Sequence, residues 1–492
     1  MSLVNQTKDG SQPRPLMSTV MLLLGPLVML LTCLIDPPAG MSVSALRTAG
    51  LAFWMASWWV SEVVPIPATS LLPLVISPLA GIAAIKGVAS PYAHPLIFLF
   101  LGGFLISIAM ERWGLHKRIA LNTMLRAGTK PSLQILAMML VTAFLSMWMS
   151  NTATAVMMLP IAMSITMLVK QSNPDNDQFG KSMLLSIAYG ASIGGIATLI
   201  GTPPNALMAA YLSDSYKIEI GFAQWMKVGV PLATVMLILC WVWLTKFAYK
   251  VDTQCAKAAS KDTKSLFLSQ LQELGKMQRA EKGVAAVFVL AAVCWIFRPV
   301  LADLSGLKIS DTGIAIAAAL LLFVLPANKG DGERILDWES AAKVPWGVLL
   351  LFGGGLTLAA QIKSSGLAEY IAHMIEGASA IPLVLSVLAV ATLITFLTEI
   401  TSNTATAAGF LPLLGPVAES VFGTPLVWVI PAAIACSCAF MMPVATPPNA
   451  IVFGSGQIQM RDMIRSGFAL NIIAIAMITL VTMTIAAVVF GF

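Results

Sequence analysis

The chain has 492 residues, 58% of them hydrophobic and 11% charged, with a mean hydropathy of +0.85. Its 29 basic and 23 acidic residues come in bursts, separated by stretches of roughly 18 or more nearly uncharged residues, long enough to cross hydrocarbon as helices. This excludes a soluble globular enzyme, a disordered chain and an outer-membrane barrel, whose strands are short and alternating; the pattern predicts an all-α polytopic membrane protein.

In chain order the spans are predicted near 17–35, 44–62, 66–84, 95–111, 182–211, 228–248, 282–299, 312–326, 345–361, 427–453 and 467–490. The first apolar run, Leu16 to Ile35, is longer than the roughly 7–15 apolar residues of a signal peptide and lacks a clear cleavage site, so it reads as an uncleaved span. Two further apolar regions, 133–169 and 381–420, are too long for one crossing and are interrupted by polar residues. The longest polar connection, Lys246 to Lys282, divides the chain roughly in half and reads as an amphipathic surface segment or a solvated linker. Trp54, Trp58 and Trp59 read as a membrane-belt anchor. The six cysteines lack metal-ligand spacing and read as small hydrophobes. No basic stripe with interleaved aromatics points to nucleic acid.

Cytoplasmic loops carry the excess of Lys and Arg, which arbitrates the topology. With the N-terminus inside and both long regions dipping in and returning on the same side, 22 of the 29 basic residues are cytoplasmic. Arg47, Lys86, Lys217, Lys227, Arg298, Lys308 and Lys363 remain outside, as does the C-terminus. Counting either long region as one crossing spoils this ratio. The expectation is therefore eleven transmembrane helices plus two re-entrant hairpins, in the cytoplasmic (inner) membrane.

The two hairpin regions repeat each other. Phe144 to Ala155 aligns with Phe396 to Ala407, and Ser150-Asn151-Thr152-Ala153-Thr154-Ala155 recurs unchanged as Ser402 to Ala407. Upstream, Gly114-Leu115 matches Gly366-Leu367; downstream, Thr202-Pro203-Pro204-Asn205-Ala206 recurs as Thr446-Pro447-Pro448-Asn449-Ala450. An odd number of spans separates the two Ser-Asn-Thr motifs, so the second copy is inverted. Inverted repeats with broken helices near the midplane mark secondary transporters.

Ser-Asn-Thr at a hairpin tip supplies good helix caps, yet irregular backbone at membrane depth is tolerated only where it lines a cavity or is buried in protein. Two symmetry-related copies, each with a Thr-Pro-Pro break, favour a ligand site. Helix N-termini favour anions, while amide and hydroxyl oxygens suit a small alkali cation. The prolines at Thr202-Pro203 and Thr446-Pro447 break their helices and free carbonyls on the opposite side of the site. No Lys or Arg lies between Pro131 and Leu168, Gly190 and Ala210, or Gly377 and Gly456. A divalent anion there lacks a fixed protein countercharge, which points to co-transported Na⁺. Glu399, opposite Met147 in the repeat, reads as a packing or gating residue, with a proton or cation role as the alternative.

At these motifs the chain resembles the divalent-anion:sodium symporter family, and closely resembles its bacterial Na⁺/dicarboxylate members, from about residue 40 onward. The resemblance implies a homodimer in which a transport domain moves like an elevator against a scaffold. It implies carboxylate-binding roles for Asn151, Thr152, Ser402, Asn403 and Thr404, joined by Thr202, Pro203, Thr446 and Pro447. One sodium site would comprise Ser146, Ser150, Asn151 and the Gly201 carbonyl; the other would comprise Thr398, Thr401, Asn403 and the Ala445 carbonyl. Thr401 aligns with Met149, so a backbone contribution is expected of it.

The expected organisation is a tail and first span (1–40), scaffold of repeat 1 (41–132) and its transport elements (133–226). A sixth span and cytoplasmic linker (227–281) lead to the scaffold of repeat 2 (282–380), its transport elements (381–460) and a last span (461–492). The function implied is Na⁺-coupled import of succinate, malate or fumarate, with Na⁺ the co-transported ion and no organic cofactor. Citrate or sulfate symport and Na⁺-independent dicarboxylate exchange are the alternatives. The expected partners are the dianion, sodium ions, membrane lipids and a second copy of the chain. An intramembrane serine protease built on Ser150 or Ser402 lacks a base, because His94, His116 and His373 lie outside the motifs.

Overall fold

The computed structural model describes residues 16–128, 130–172, 177–251, 256–328, 332–374 and 381–492. Among them the architecture is all-helical, with one isolated bridge, Pro326 to Arg334. The first repeat begins with α1 (Leu16–Leu34) and α2 (Val43–Ser61), the short pieces α3 (Ile66–Thr69), α4 (Leu72–Leu79) and α5 (Ile85–Ala89), then α6 (Pro95–Arg112) and α7 (Leu115–Arg126). The first hairpin is α8 (Pro131–Ser146) and α9 (Asn151–Ser172), followed by α10 (Gln178–Ile196), α11 (Pro203–Tyr216) and α12 (Phe222–Val242).

A linker helix, α13 (Ala256–Glu273), leads to α14 (Arg279–Ile296), α15 (Arg298–Ser305), α16 (Asp311–Val324) and α17 (Trp338–Ala341). The second repeat continues through α18 (Trp346–Ser364) and α19 (Leu367–Met374) to the second hairpin, α20 (Leu383–Thr398) and α21 (Asn403–Phe422). Then come α22 (Leu426–Cys436), α23 (Pro447–Phe453), α24 (Met460–Val481) and α25 (Ala487–Phe490).

Six described helices are long and apolar enough to cross a membrane, or seven if the bent pair α14–α15 is one span. Several expected spans are broken instead. The region 66–84 splits where Pro65, Pro67, Pro73 and Pro78 punctuate it, and 182–211 and 427–453 break at the Thr-Pro-Pro motifs. The entry arms of both hairpins, α8 and α20, have 16 residues. At 1.5 Å per residue each spans about 24 Å, short of a 30 Å hydrocarbon core.

Small residues set the packing. In lipid, helices associate through close van der Waals contact rather than a hydrophobic drive, which favours Gly, Ala and Ser at their interfaces. Residues 182–196 of α10, rich in these types, are all buried, and so are all residues of α22 except Trp428. A Cβ on Gly229 of α12 would lie 2.7 Å from the Ile196 carbonyl oxygen; Gly467 of α24 approaches the carbonyl of Phe440 in the same way. Each breaks-bearing loop thus rests on a glycine of the following helix.

Of Trp54, Trp58 and Trp59 only Trp59 is fully buried. Trp59 is 1% exposed and donates to Ser70 Oγ at 3.1 Å, Trp58 donates to the Leu22 carbonyl, and the Trp54 ring covers Gly25. Trp54 and Trp58 seat α1 on α2, and Trp59 holds the chain that follows α3. The central linker is not free in solvent either: α13 buries Phe267 and packs on α7 and α9. Arg118 of α7 grips Glu281 of α14 through two hydrogen bonds (2.5 and 3.0 Å) and donates to the Gly275 carbonyl. Cys240, Cys436 and Cys438 are buried, Cys294 is half-buried and Cys33 is exposed; Cys255 lies outside the described residues.

Candidate functional site

The two hairpin tips and the two Thr-Pro-Pro breaks meet at one cavity of about 710 Å³. Its walls include Ser150, Asn151, Thr152, Gly201, Thr202 and Pro203 from repeat 1, and Ser402, Asn403, Thr404, Ala445, Thr446 and Pro447 from repeat 2. Residues 252 positions apart at the tips and 244 at the breaks are brought together by the fold. Thr202 Oγ1 and Ser437 Oγ, one from each repeat, stand 3.3 Å apart.

Behind each tip lies the same hydrogen-bond pattern. Ser146 Oγ lies 2.6 Å from Asn151 Oδ1 and 2.7 Å from the Ala191 carbonyl; Thr398 Oγ1 lies 2.7 Å from Asn403 Oδ1 and 3.1 Å from the Cys436 carbonyl. Ser146 and Thr398 are fully buried. The oxygens in repeat 1 converge on a space that only glycine leaves open. A Cβ on Gly195 would lie 2.8 Å from Asn151 Oδ1 and 3.1 Å from the Gly201 carbonyl oxygen, and one on Gly201 would lie 3.0 Å from the Ser146 carbonyl oxygen. Hydroxyl, amide and backbone oxygens without a thiolate or imidazole form the donor set that hard cations select.

Not every predicted ligand points into these cradles. The Ser150 hydroxyl accepts from the Ala153 N–H at 3.2 Å, a helix cap at the cavity wall, while Ser402 makes no side-chain cap. Thr401 does not line the cavity. Its hydroxyl donates to the Leu397 carbonyl (2.9 Å) and faces Thr406 Oγ1.

The cavity has a second wall that motif reading missed. Phe100, Phe104, Ser107, Ile108 and Glu111 form a stripe along α6, and Glu62, Lys343, Pro345 and Val348 complete the rim. Glu62 ends α2 in the left-handed region (φ 48°, ψ 23°), uncommon for a residue other than glycine. These residues carry no repeat signature; only the period of α6, with polar positions at 107 and 111 in an apolar run, marks its cavity face. One lysine stands there against two glutamates, so the rim adds no net positive charge.

Glu399 is buried and fully partnered. Its carboxylate accepts the N–H groups of Phe440 (2.7 Å), Met441 (2.9 Å) and Met442 (2.9 Å) and the Asn471 amide (2.7 Å). It closes the donors of the broken helix before α23. In repeat 1, where Met147 occupies the equivalent position, Thr198 does related work: its hydroxyl donates to the Met147 carbonyl and accepts the Gly201 N–H at 3.0 Å. His94 and His116 are engaged away from the motifs, with Asp214 and the Met110 carbonyl respectively.

A family model described as the sodium:sulfate symporter transmembrane region matches residues 16–492. The chain belongs to the sodium:sulfate symporter family. This is the divalent-anion:sodium symporter grouping that the paired Ser-Asn-Thr motifs resemble. The chain is 42% identical over 475 residues to the sodium-dependent dicarboxylate transporter SdcS of Staphylococcus saprophyticus, covering 94% of this chain and 90% of the relative. It is 42% identical over 479 residues to SdcS of Staphylococcus aureus strain USA300, covering 96% and 91%. The crystal structure of the YdaH transporter of Alcanivorax borkumensis superposes with a TM-score of 0.55 at 12% identity, covering 97% of this chain and 99% of that one. That likeness concerns the fold alone. The chain is a multi-pass helical membrane transporter, not an enzyme.

Proposed function

We propose that the protein imports C4-dicarboxylates such as succinate, malate or fumarate across the cytoplasmic membrane, coupled to Na⁺. The observation that carries this reading is the single cavity walled by both Ser-Asn-Thr tips and both Thr-Pro-Pro breaks. The names of relatives 42% identical over nearly the whole chain support it. Asn151 and Thr152 receive one carboxylate of the dianion, and Ser402, Asn403 and Thr404 the other. Ser146, the Ser150 backbone, Asn151 and the Gly201 carbonyl hold one sodium ion; Thr398, the Thr401 backbone, Asn403 and the Ala445 carbonyl hold a second. With no Lys or Arg in the motif regions, the bound cations supply the countercharge that desolvating a dianion requires.

The rim residues Glu62, Glu111 and Lys343 fall on the side expected to be cytoplasmic from the basic-residue distribution. The cavity is therefore open inward. A C-terminus outside, scaffold and transport domains divided as the sequence suggests, a homodimer and an elevator movement complete the reading. Reconstituted in liposomes, the protein should take up succinate when driven by an inward Na⁺ gradient, and uptake should collapse when K⁺ replaces Na⁺. Uptake indifferent to that replacement refutes Na⁺ coupling. Competition by citrate and sulfate at equal concentration decides the anion, since the matched family model bears the sulfate name.

A further inference from the structure

The asparagine of each Thr-Pro-Pro-Asn motif lies outside the cavity and has no role in the reading above. Both Asn205 and Asn449 are fully buried. Asn205 Nδ2 donates to the carbonyls of Thr198 (2.8 Å) and Ile196 (3.2 Å), with that of Gly195 at 3.4 Å. Asn449 Nδ2 donates to the carbonyls of Met442 (3.0 Å) and Ala439 (3.1 Å). In both repeats the partners stand seven and ten residues before the asparagine. Each amide reaches back across its helix break and gathers the carbonyls that the break leaves without helical partners.

Those loops lead directly to the cation cradles. Gly195 flanks Asn151 Oδ1 and the Gly201 carbonyl, and Gly201 sits four residues before Asn205 in the same loop; Ala445 holds the same place before Asn449. The donors of the loops are closed differently in the two repeats, by Glu399 in one and Thr198 in the other. The carbonyl brace is the device they share. Both asparagines also leave Oδ1 buried without a donor. An unsatisfied buried acceptor is a cost, and its presence at two symmetry-related positions argues that the amide N–H groups are what the position demands.

We propose that Asn205 and Asn449 are the positioning residues of the two cation sites, each fixing the direction in which the Gly201 or Ala445 carbonyl faces the ion. The proposal rests on the Na⁺-coupled reading of the cavity. Neither side chain lines the cavity, so their loss acts on sodium affinity first.

The test uses Asn205→Ala, Asn205→Asp, Asn449→Ala and Asn449→Asp in the full-length protein, with Na⁺-activated succinate uptake in liposomes and the Na⁺-induced melting shift in detergent as readouts. Aspartate keeps the size and one oxygen but loses both N–H donors. Alanine and aspartate should each raise the Na⁺ concentration for half-maximal uptake about tenfold or more. The succinate KM at saturating Na⁺ should stay within about twofold of the parent, because a device acting through the cation site is relieved when that site is filled.

Aspartate variants with the parent Na⁺ dependence would mean that Oδ1 acts as a ligand, which overturns the positioning role. Unchanged Na⁺ dependence in the alanine variants, or an equal rise in succinate KM at saturating Na⁺, also overturns it. Failure of all four variants to fold in saturating Na⁺ assigns the asparagines to fold maintenance and has the same effect. If the parent protein itself shows no Na⁺-dependent uptake, it is the transporter reading that fails.

Discussion

Replacing Glu399 by glutamine tests whether this carboxylate braces the helix break or holds an ion. The carboxylate accepts four hydrogen bonds: Oε1 from Phe440, Met441 and Asn471, and Oε2 from Met442. A glutamine oriented with its oxygen toward the first three keeps them, but turns an NH₂ group toward the Met442 N–H. One charge-assisted bond, worth about 1.5–3 kcal/mol, is lost, and the remaining three fall to neutral strength. Met442 in turn receives Asn449 through its carbonyl, so the slack reaches the loop that presents Ala445.

If about half of that loss is felt as reduced sodium binding, the Na⁺ concentration for half-maximal uptake rises about three- to tenfold. Glu399→Ala removes all four acceptors and should cost more, with a lower melting temperature partly recovered by Na⁺ and succinate together. The assay is succinate uptake in liposomes across a Na⁺ titration, paired with reversal potentials. A bracing residue moves the midpoint and leaves the number of Na⁺ per dianion unchanged. A Glu399→Gln protein with the parent midpoint, or with one fewer Na⁺ per cycle, refutes the bracing argument.

Asn151→Ala and Asn403→Ala each remove an amide oxygen at a cradle that also faces the cavity; both should abolish uptake and Na⁺-dependent succinate binding, measured by calorimetry on purified protein. Gly195→Ala places a methyl 2.8 Å from Asn151 Oδ1, and should remove the first cradle's share of the Na⁺ stabilisation in a melting assay while leaving that of the second. Arg118→Met leaves Glu281 buried without its partner, a loss on the order of 3–5 kcal/mol, and should lower the melting temperature while leaving the Na⁺ midpoint unchanged. On the face expected to be outside, Lys363 of α18 donates to the Ser215 carbonyl of α11 and lies 5.0 Å from the Tyr216 ring centre. If α11 moves past α18 during transport, oxidative cross-linking of a Ser215→Cys/Lys363→Cys protein should stop uptake and reduction should restore it.

The motifs were legible because their chemistry is local: a broken helix at membrane depth needs Ser, Asn, Thr and Pro near the break, and two copies in one order show duplication. The hairpins, both helix breaks and the convergence of the paired motifs on one cavity follow from that pattern. The α6 wall and the rim at Glu62, Glu111 and Lys343 were not legible, since one face of an apolar helix looks the same against lipid, protein or a cavity. The partners of the tryptophans were not legible either: Trp59 donates to Ser70 just after α3, and Trp58 to the Leu22 carbonyl of α1, contacts set by how those segments fold against α2. The 66–84 stretch read as one span because hydropathy outweighed its four flanking and internal prolines.

The repeat also makes the two cation cradles comparable residue by residue, and they are not equivalent. Ser146 corresponds to Thr398 and Asn151 to Asn403, with the same serine-or-threonine to asparagine contact in both. Yet Gly195 and Gly201 in the first correspond to Ala439 and Ala445 in the second. In the first cradle a Cβ at either glycine would lie within 3.1 Å of a cradle oxygen, so the alanines require the second loop to stand farther back. The second cradle compensates with a charged brace, Glu399, and a hydroxyl pair, Thr401 and Thr406, where the first has Met147 and an unpartnered Thr154. A tight neutral cradle and a wider one beside a buried carboxylate place different demands on ion size and dehydration. The two sodium ions should therefore bind with different affinities, and a Na⁺ titration of melting temperature in Gly195→Ala, which retains only the second cradle, should follow a single-site curve with a midpoint distinct from that of Asn403→Ala.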